Sequence, residues 1–424
     1  MLYFEQGSPS GRLTADDLKN GLHRALDMLG PRKSVLAIPP DFTRVHSHAG
    51  PLTELIWKYY GDTLADVLPA TGTHVPMTEN ELSVMFGEIP KRLFRTHSWK
   101  KDLVHLGDVP ADFVKTVSGG VVEYDIPFRI DPLVGGRKHD LILSVGQVVP
   151  HEVIGIAGYN KNVFIGTGGA EGIHKTHFLG AAFGMERLMG RADTPVRRVL
   201  NYVSDNFAAH LPIVYVLTVV GNNPATREPE VRGLIIGDDI ECFRRAAELS
   251  LKVNFELLEQ PLQKAVVYLD PEEYKSTWLG NKSIYRTRMA IATGGELLVL
   301  APGVTRFGED EGIDLLIRKY GYVGSEKVLD LVKTNGDLAE SLGTAAHLIH
   351  GSSENRFTIT YCPGKLTKEA IEQVNFRYAD LDSMMRRYDP SRMRDGMNTM
   401  PDGEKVFYIS KPGLGLWAAR ERFL

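Results

Sequence analysis

The chain alternates short apolar runs with segments in which apolar residues recur at helical spacing. Apolar runs of strand length occupy residues 34–40, 64–70, 121–128, 140–149, 212–220, 265–269, 296–300, 356–362 and 405–409. Apolar residues recur at helical spacing over residues 14–29, 51–60, 238–254, 282–292 and 312–320. A capping-box pattern at residues 78–81 predicts the start of a further helix. Strands that alternate with helices along the whole chain predict an α/β protein with mostly parallel sheets.

The length of the chain predicts more than one domain. A chain of 424 residues can form two or three hydrophobic cores, and the stretch at residues 260–262, which contains Pro261, is the best candidate for a boundary. We therefore predict two α/β domains, one over residues 11–260 and one over residues 261–424. Residues 1–10 resemble an expression-tag remnant rather than a signal peptide, so we predict disorder there.

The composition of the chain excludes several classes of partner. With 43% hydrophobic residues, 24% charged residues and a net charge of −4, it is that of an ordinary globular protein. Because there is no basic excess, neither nucleic acid nor a membrane is expected as a partner. The two cysteines, Cys242 and Cys362, form no metal or redox motif, which fits a reduced cytoplasmic compartment. No apolar run reaches the roughly 18 residues of a membrane span.

Polar residues cluster directly after two of the predicted strands. Residues 41–48 follow the first predicted strand, and residues 71–74 follow the second. In open α/β sheets, ligands bind at the carboxyl ends of the strands. The two clusters therefore predict a binding site at one edge of a sheet.

The first cluster allows two interpretations. Asp41 and Arg44 could form an ion pair or cap a helix, or the Arg44 guanidinium could bind a carboxylate or phosphate through two parallel hydrogen bonds. His46 and His48 alternate in the same cluster, where solvent exposure is the simpler interpretation and weak metal binding the alternative.

A second candidate site lies in the 27 residues from His151 to His177, where histidines and lysines stand among eight glycines and alanines. His151 and His74 both follow strands, so they could serve as an acid/base pair on opposite sides of a carbon, although a single loop histidine is more often an ordinary loop residue. Lys161 is either a surface lysine or a partly desolvated nucleophile among apolar residues. His174 lies three residues before His177, so on a helix both side chains could bind one metal ion. Alternatively, one of the two histidines is a ligand and the other is structural.

Taken together, these motifs resemble the lactate racemase family, whose members use the nickel-pincer nucleotide. The resemblance covers roughly residues 13–239 and is looser beyond them. It rests, in this order and at these spacings, on Asp41-x-Thr43-Arg44, Gly72-Thr73-His74, His151, Lys161 after Gly158-Tyr159, and His177.

The resemblance implies a role for each of these residues, with the active site in the cleft between the two domains. His74 and His151 would be the acid/base pair, and His177 would be the protein ligand of nickel. Cofactor contacts are implied for Lys161, which would carry the covalent link, and for Asp41, Thr43, Gly72, Thr73 and Tyr159. Substrate contacts are implied for Arg44, which would hold a carboxylate, and for His48, Tyr285, Arg286 and Arg288.

The implied reaction inverts the C2 centre of a 2-hydroxy acid. Family members transfer the C2 hydrogen as hydride to the cofactor while a histidine takes the hydroxyl proton. A planar 2-keto acid results, and return of hydride to its opposite face inverts the centre. The protein binds and orients the substrate, and the cofactor performs the difficult step.

This chain departs from the lactate-type pattern in two places. The lactate enzymes carry Tyr-Gln-x-x-Lys in the second domain, whereas the matching residues here are Tyr285, Arg286 and Met289, with Arg288 between the last two. An arginine does not reproduce the geometry of a lysine. His46 and His48 also add hydrogen-bonding groups beside the carboxylate site. We therefore predict a more polar substrate, such as an aldonic or uronic sugar acid, and a C2 epimerase.

Three alternatives remain open from the sequence. The first is a racemase of a small acid such as lactate or malate. The second is a zinc-dependent hydrolase that uses His74, His151, His174 and His177, in which Lys161 would have no role. The third is a binding or sensor protein that retains the fold without the chemistry. The expected partners of the favoured enzyme are its small-molecule substrate and the proteins that mature the cofactor.

Overall fold

In the computed structural model, the chain forms two compact units, and the structure describes residues 1–223, 226 and 228–423. The first unit comprises Met1–Thr176 and Gly190–Asn254, and the second comprises His177–Met189 and Phe255–Leu424. The sequence places the boundary at residues 260–262. The structure places it just before Phe255, and it assigns the short segment from His177 to Met189 to the second unit.

The strands are named β1 to β18 in chain order. In the first unit they are β1 Leu2–Gly7, β2 Val35–Ile38, β3 Leu64–Val67, β4 Val104–Val109, β5 Ile126–Ile130, β6 Leu141–Gln147, β7 Pro150–His151, β8 Gly155–Ile156, β9 Ile213–Asn222 and β10 Pro229–Gly237. In the second unit they are β11 Phe255–Leu258, β12 Leu262–Tyr268, β13 Ile291–Ala301, β14 Thr358–Pro363, β15 Arg377–Tyr378, β16 Gly396–Thr399, β17 Lys405–Ile409 and β18 Leu416–Ala419.

The α-helices are named α1 to α19 in the same way. Up to residue 254 they are α1 Ala15–Leu29, α2 Ala49–Tyr60, α3 Glu79–Phe86, α4 Ala111–Ser118, α5 Pro132–Gly135, α6 Asn160–Phe164, α7 Ala170–Phe183, α8 Met185–Leu188, α9 Pro195–Asn206 and α10 Ile240–Asn254. Beyond it they are α11 Thr277–Gly280, α12 Lys282–Tyr285, α13 Glu311–Tyr320, α14 Ser325–Thr334, α15 Gly336–Glu340, α16 Leu342–His350, α17 Lys368–Gln373, α18 Leu381–Arg387 and α19 Arg420–Phe423. Short 3-10 helices span Phe42–Ser47, Gly61–Thr63 and Lys91–Leu93.

The first unit is built on a six-stranded sheet in the order β1-β10-β9-β6-β2-β3. Strands β3, β2, β6 and β9 are parallel, and β10 and β1 join antiparallel at one edge. Every residue of β2 and β6 is buried, as a parallel sheet covered on both faces requires. The parallel pairing of β2 with β3 brings the residues that follow them to the same edge of the sheet.

The second unit has its own six-stranded sheet in the order β15-β14-β13-β12-β17-β16. All of its pairings are parallel except that of β16 with β17. A further core cluster of this unit contains Met185, Met189, Tyr285, Met289 and Leu416, and it fixes the segment from His177 to Met189 against the region of α12. The predicted α/β class with mostly parallel sheets is confirmed.

Two predicted elements differ in the structure. The helix predicted over residues 282–292 is limited to Lys282–Tyr285, and Ile291 already begins the eleven-residue strand β13. A short apolar run cannot distinguish a buried helix from a buried strand by its spacing, and here the pairing with β12 and β14 decides for the strand. The strand predicted from residue 121 begins only at Ile126, and it pairs with β4 outside the main sheet.

The prediction of disorder for residues 1–10 is wrong. Strand β1 pairs antiparallel with β10 from Leu2 to Gly7, so its backbone hydrogen bonds are satisfied in the sheet. The rings of Tyr3 and Phe4 also pack against the core of the first unit. The apolar side chains of this segment therefore stabilise an edge strand.

Among the described residues, no helix combines the length and the apolarity needed to cross a membrane.

Candidate active site

The ends of β2 and β3 bring Asp41 and His74 together in the first unit. Asp41 begins the 3-10 helix Phe42–Ser47, and its Oδ1 accepts hydrogen bonds from the backbone N–H of Thr43 at 3.1 Å and from the Thr43 hydroxyl at 2.5 Å. Its other carboxylate oxygen lies 2.5 Å from Nδ1 of His74. The two polar clusters predicted from the sequence therefore meet through a direct hydrogen bond.

This hydrogen bond sets the tautomer of the neutral His74 ring. A carboxylate only accepts hydrogen bonds, so in that ring Nδ1 carries the hydrogen and Nε2 has the lone pair. Burial raises the pKa of Asp41, but the hydrogen bond from His74, together with the Thr43 hydroxyl, outweighs it and lowers the pKa below its ordinary value. The side chain of His74 is 43% exposed, so its Nε2 can reach a ligand as a proton acceptor.

The turn that carries His74 is attached to the end of helix α6. Gly72 has φ +55°, a conformation that glycine adopts without strain, and its N–H donates to the Gly166 carbonyl at 2.8 Å. The His74 N–H closes the turn on the Thr71 carbonyl at 2.9 Å. Gly72 and Thr73, which were predicted to contact the cofactor, therefore lie beside the helix of Lys161.

Lys161 lies in α6 between two asparagines that hold the helix from both sides. Asn162 Nδ2 donates to the Ile38 carbonyl at 2.9 Å and to the Ser144 hydroxyl at 3.1 Å, which fixes α6 to strands β2 and β6. Asn160 is completely buried and bonds to helix α9. The backbone of Lys161 is therefore fixed at both of its neighbours.

The side-chain amine of Lys161 is poorly stabilised in its charged form. Burial is the main cause that lowers its pKa from 10.5 to about 8. The charges of Arg44 and Arg197 act in the same direction, whereas Glu152 and Asp41 oppose them. Among the described residues, none accepts a hydrogen bond from its Nζ. A lysine in this state is a good candidate for a nucleophile.

His151 is buried in the β7–β8 hairpin, where it pairs with Gly155. Its Nδ1 accepts the Val153 N–H at 3.1 Å, so the neutral ring carries its hydrogen on Nε2. The carboxylate of Glu152 lies 3.6 Å from Nδ1 and would stabilise a protonated ring. The neutral rings of His74 and His151 thus have opposite tautomers, one accepting and one donating at Nε2.

Arg44 and His48 of the first cluster have polar side-chain atoms without partners among the described residues. The guanidinium of Arg44 donates only to the Thr43 carbonyl, at 3.2 Å, among the described residues. His48 begins helix α2 with a left-handed backbone, and it is half-buried rather than exposed. Burial lowers the pKa of His48, so its ring is neutral at pH 7.

Tyr159 was predicted to contact the cofactor, but its side chain lies in the interior of the first unit. Its ring packs against those of Tyr215 and Phe243, with centroids 4.2 and 5.6 Å away. Burial raises its pKa above the ordinary value. The side chain of Tyr159 therefore belongs to the core of the first unit.

The other predicted residues belong to the second unit. His177 lies in the part of α7 assigned to it, and Tyr285, Arg286 and Arg288 are all buried. Arg288 Nε donates to Glu186 at 3.0 Å, so this arginine is engaged in an ion pair within its own unit.

Glu186 was not identified from the sequence. Burial raises its pKa, but the charges of Arg288 and Arg356 outweigh this effect and lower it. Charge pairing between residues 102 positions apart has no signal in a single sequence.

His174 lies in the first unit, with its ring edge-on to Trp99 at 6.0 Å. Burial lowers its pKa. Among the described residues, no group of three or more histidine, cysteine, aspartate or glutamate side chains is arranged to hold a metal ion.

A buried histidine anchors the segment that precedes α7. None of the His97 side chain is exposed, and its Nδ1 lies 3.0 Å from the Asp131 carboxylate. Its Nε2 donates to the Gly168 carbonyl at 3.0 Å. His97 therefore links Asp131 to the segment that precedes α7.

We expect the substitution His97→Leu to destabilise the protein by about 2–4 kcal/mol, because it leaves a buried carboxylate and a buried carbonyl without their donor. The measurement is urea unfolding followed by circular dichroism. His105→Leu is the matched control, since that ring is half exposed. Equal stability of the two variants would contradict the assigned role of His97.

Comparisons with known proteins identify one matching family model and several similar solved structures. Residues 19–187 match the family described as the lactate racemase N-terminal domain. The structure is similar to a crystal structure of a Thermotoga maritima protein, with a TM-score of 0.81 and 25% identity over 98% of this chain and 100% of that one. It is also similar to the lactate racemase apoprotein from Thermoanaerobacterium thermosaccharolyticum, with a TM-score of 0.66 and 16% identity over 98% and 94% of the two chains. No curated protein matches the chain.

The family model covers residues 19–187 of the chain, and the solved structures show a shared fold.

Proposed function

We propose that the protein inverts the C2 centre of a 2-hydroxy acid with the nickel-pincer nucleotide as cofactor, and that its substrate is a sugar acid such as gluconate. One observation carries the proposal. A lysine with a pKa of about 8, an oriented histidine and an accessible arginine occur together in the first unit.

The residues fit the proposed cofactor. Covalent attachment requires an uncharged amine, and Lys161 supplies one because burial lowers its pKa to about 8. The Nζ of Lys161 also has no hydrogen-bond acceptor among the described residues that would have to be displaced. When bound, the cofactor would accept and return the C2 hydrogen as hydride. His177 is proposed as the protein ligand of nickel, on the basis of its spacing from Lys161.

The side chains of the first unit would perform the proton transfers. Arg44 would bind the substrate carboxylate with its guanidinium. His74 would take the hydroxyl proton at Nε2, and Asp41 would stabilise the resulting imidazolium. On the opposite side of the planar 2-keto acid, the protonated form of His151 would hold the oxygen through its Nε2 hydrogen and supply that proton, which leaves the ring neutral. The Glu152 carboxylate, 3.6 Å from Nδ1, would stabilise the protonated form.

The preference for a sugar acid rests on a polar side chain that a three-carbon substrate would leave unused. His48 has no side-chain hydrogen bond among the described residues, and its half-buried neutral ring can donate to and accept from hydroxyl groups. A hydroxyl group of a polyol chain would give the His48 ring a partner that lactate does not supply.

The test is production of the full chain together with the family's cofactor-maturation enzymes, followed by intact mass, peptide mapping and nickel analysis. We expect a mass adduct on Lys161 and about one nickel per chain. The loaded protein is then incubated with aldonates, lactate and malate in deuterium oxide, and epimers are measured by chromatography. Protein produced without the maturation enzymes is the control.

The outcomes separate the parts of the proposal. An adduct with aldonate epimerisation supports it in full. An adduct with turnover of lactate or malate alone rejects the sugar-acid substrate and leaves a racemase of small acids. Absence of both adduct and nickel rejects the cofactor.

A further inference from the structure

A buried arginine lies beneath the segment that leads to Lys161. Arg197 is 1% exposed and stands in helix α9. One of its terminal nitrogens donates to the Asn160 side-chain oxygen, and the other donates to the carbonyls of Ile156 at 2.9 Å and Gly158 at 3.2 Å. Arg197 therefore bonds to three of the five residues that precede Lys161.

The charge of Arg197 has no anionic partner. Among the described residues, no carboxylate forms an ion pair with it, and its guanidinium instead lies over the ring of Phe243 at 4.0 Å. Burial lowers its pKa from 12.5 to about 9, so the group is still charged at pH 7. A buried charge without a counter-ion is costly, which is unusual for a residue that only stabilises the fold.

The segment held by Arg197 has an uncommon backbone. Gly158 has φ +96°, and Tyr159 has φ +59° although it is not a glycine. A Cβ at Gly158 would lie 2.8 Å from the Val148 side chain and 3.0 Å from the Gln147 carbonyl. The guanidinium supports this turn through the carbonyls of Ile156 and Gly158 and through the side chain of Asn160.

Helix α9 presents a polar stripe to the same segment. Asn160 donates from Nδ2 to the Asn201 side chain at 2.9 Å and to the Ser204 hydroxyl at 3.0 Å. Arg197, Asn201 and Ser204 are spaced by four and three residues, so they share one face of the helix. All three converge on Asn160, the residue before Lys161.

We propose that Arg197 is a positioning residue for Lys161: its hydrogen bonds fix the segment from Ile156 to Asn160, and its uncompensated charge favours the neutral amine of Lys161. The inference rests on the proposed function in one respect: the amine of Lys161 must be uncharged in order to attack the cofactor. The groups that act electrostatically on Lys161 are Glu152, Arg44, Arg197 and Asp41. Arg44 would be neutralised by a bound carboxylate, whereas Arg197 is buried and keeps its effect.

The test measures the titration of Lys161 in the full chain without cofactor. Trace labelling with acetic anhydride between pH 6 and 10, followed by peptide mass spectrometry, gives the amine reactivity of Lys161 at each pH. Two variants remove the charge of Arg197. Arg197→Gln keeps a hydrogen-bond donor for the segment, and Arg197→Met keeps none. Arg198→Met is the matched control, since Arg198 is the exposed neighbour that pairs with Asp193.

We expect the titration of Lys161 to move up by about one pH unit in both Arg197 variants, which lowers its labelling at pH 7 by about 5- to 10-fold. The control should titrate like the unsubstituted chain. Hydrogen exchange of residues 156–161 should rise more in Arg197→Met than in Arg197→Gln, because only the former loses every donor.

An unchanged titration of Lys161 in folded Arg197 variants would overturn the proposal. If neither variant folds, Arg197 is assigned to stability alone and the proposal also fails. Since labelling needs neither nickel nor cofactor, these outcomes are independent of whether the chain acquires the cofactor in cells.

Discussion

Replacement of Asp41 by asparagine is expected to lower kcat by about 10³- to 10⁴-fold, because the carboxylate fixes the tautomer of His74 and stabilises its protonated ring. An asparagine can present its NH₂ group to Nδ1, which would move the ring hydrogen to Nε2 and remove the proton acceptor. The pKa of Asp41 lies below its ordinary value, so the carboxylate is charged throughout the pH range of the assay.

The measurement is the steady-state rate of epimerisation with the substrate identified in the panel, at equal cofactor loading. Asp27→Asn is the control, since the Asp27 carboxylate is exposed and bonds only to the Tyr59 hydroxyl among the described residues. A loss smaller than tenfold in Asp41→Asn would show that the tautomer of His74 does not depend on Asp41.

Replacement of Lys161 by arginine is expected to abolish the covalent adduct and to lower activity by more than about 10³-fold, because a guanidinium stays protonated and cannot act as a nucleophile. The positive charge and most of the side-chain volume are retained, so the variant should fold. Intact mass after co-production with the maturation enzymes gives the result. Lys100→Arg, on the exposed segment beside Trp99, should acquire the adduct normally.

Attachment to Lys161 should also depend on pH in a predictable direction. With a pKa of about 8, about one tenth of the amine is neutral at pH 7 and half at pH 8, compared with about one part in 3,000 at pH 7 for an ordinary lysine. Loading of the isolated protein with cofactor in vitro should therefore rise with pH through 8 and level off above about pH 9. An adduct that forms on Lys161→Arg, or a rate that rises only near pH 10, would contradict this account.

The sequence predicts that Asp41 and His74 lie close together, but it does not predict what surrounds Lys161. Asp41 and His74 could be placed together because each follows a buried parallel strand, and such strands end at one edge of the sheet. Lys161 could be identified as unusual from its apolar neighbours. The support of Lys161 by Arg197 could not be identified from the sequence, because it depends on helix α9. That helix begins 34 residues after the lysine and was not predicted. Its only sequence signal is the helical spacing of Arg197, Asn201 and Ser204.

The predicted and observed elements also differ where more than one secondary structure fits the same local pattern. The apolar residues after Tyr285 suit a helix as well as a strand, and only pairing with β12 and β14 decides between them. Tyr159 lies in a motif that suggests a ligand, yet its ring is buried against Tyr215 and Phe243. The spacing of residues along the chain does not show where a side chain points when its backbone has a positive φ, as that of Tyr159 does.

The opposite tautomers of His74 and His151 have a consequence for stereochemistry. In the proposed reaction, a substrate whose hydroxyl group faces His74 would meet a lone pair at Nε2 and could lose its proton directly. The mirror configuration would face the Nε2 hydrogen of His151, so this ring would have to move its hydrogen to Nδ1 and give up the hydrogen bond from Val153 before it could act as a base. We therefore expect the resting protein to accept one configuration at C2 more readily than the other, with the Glu152 carboxylate, 3.6 Å from Nδ1, favouring the tautomer that the second configuration needs.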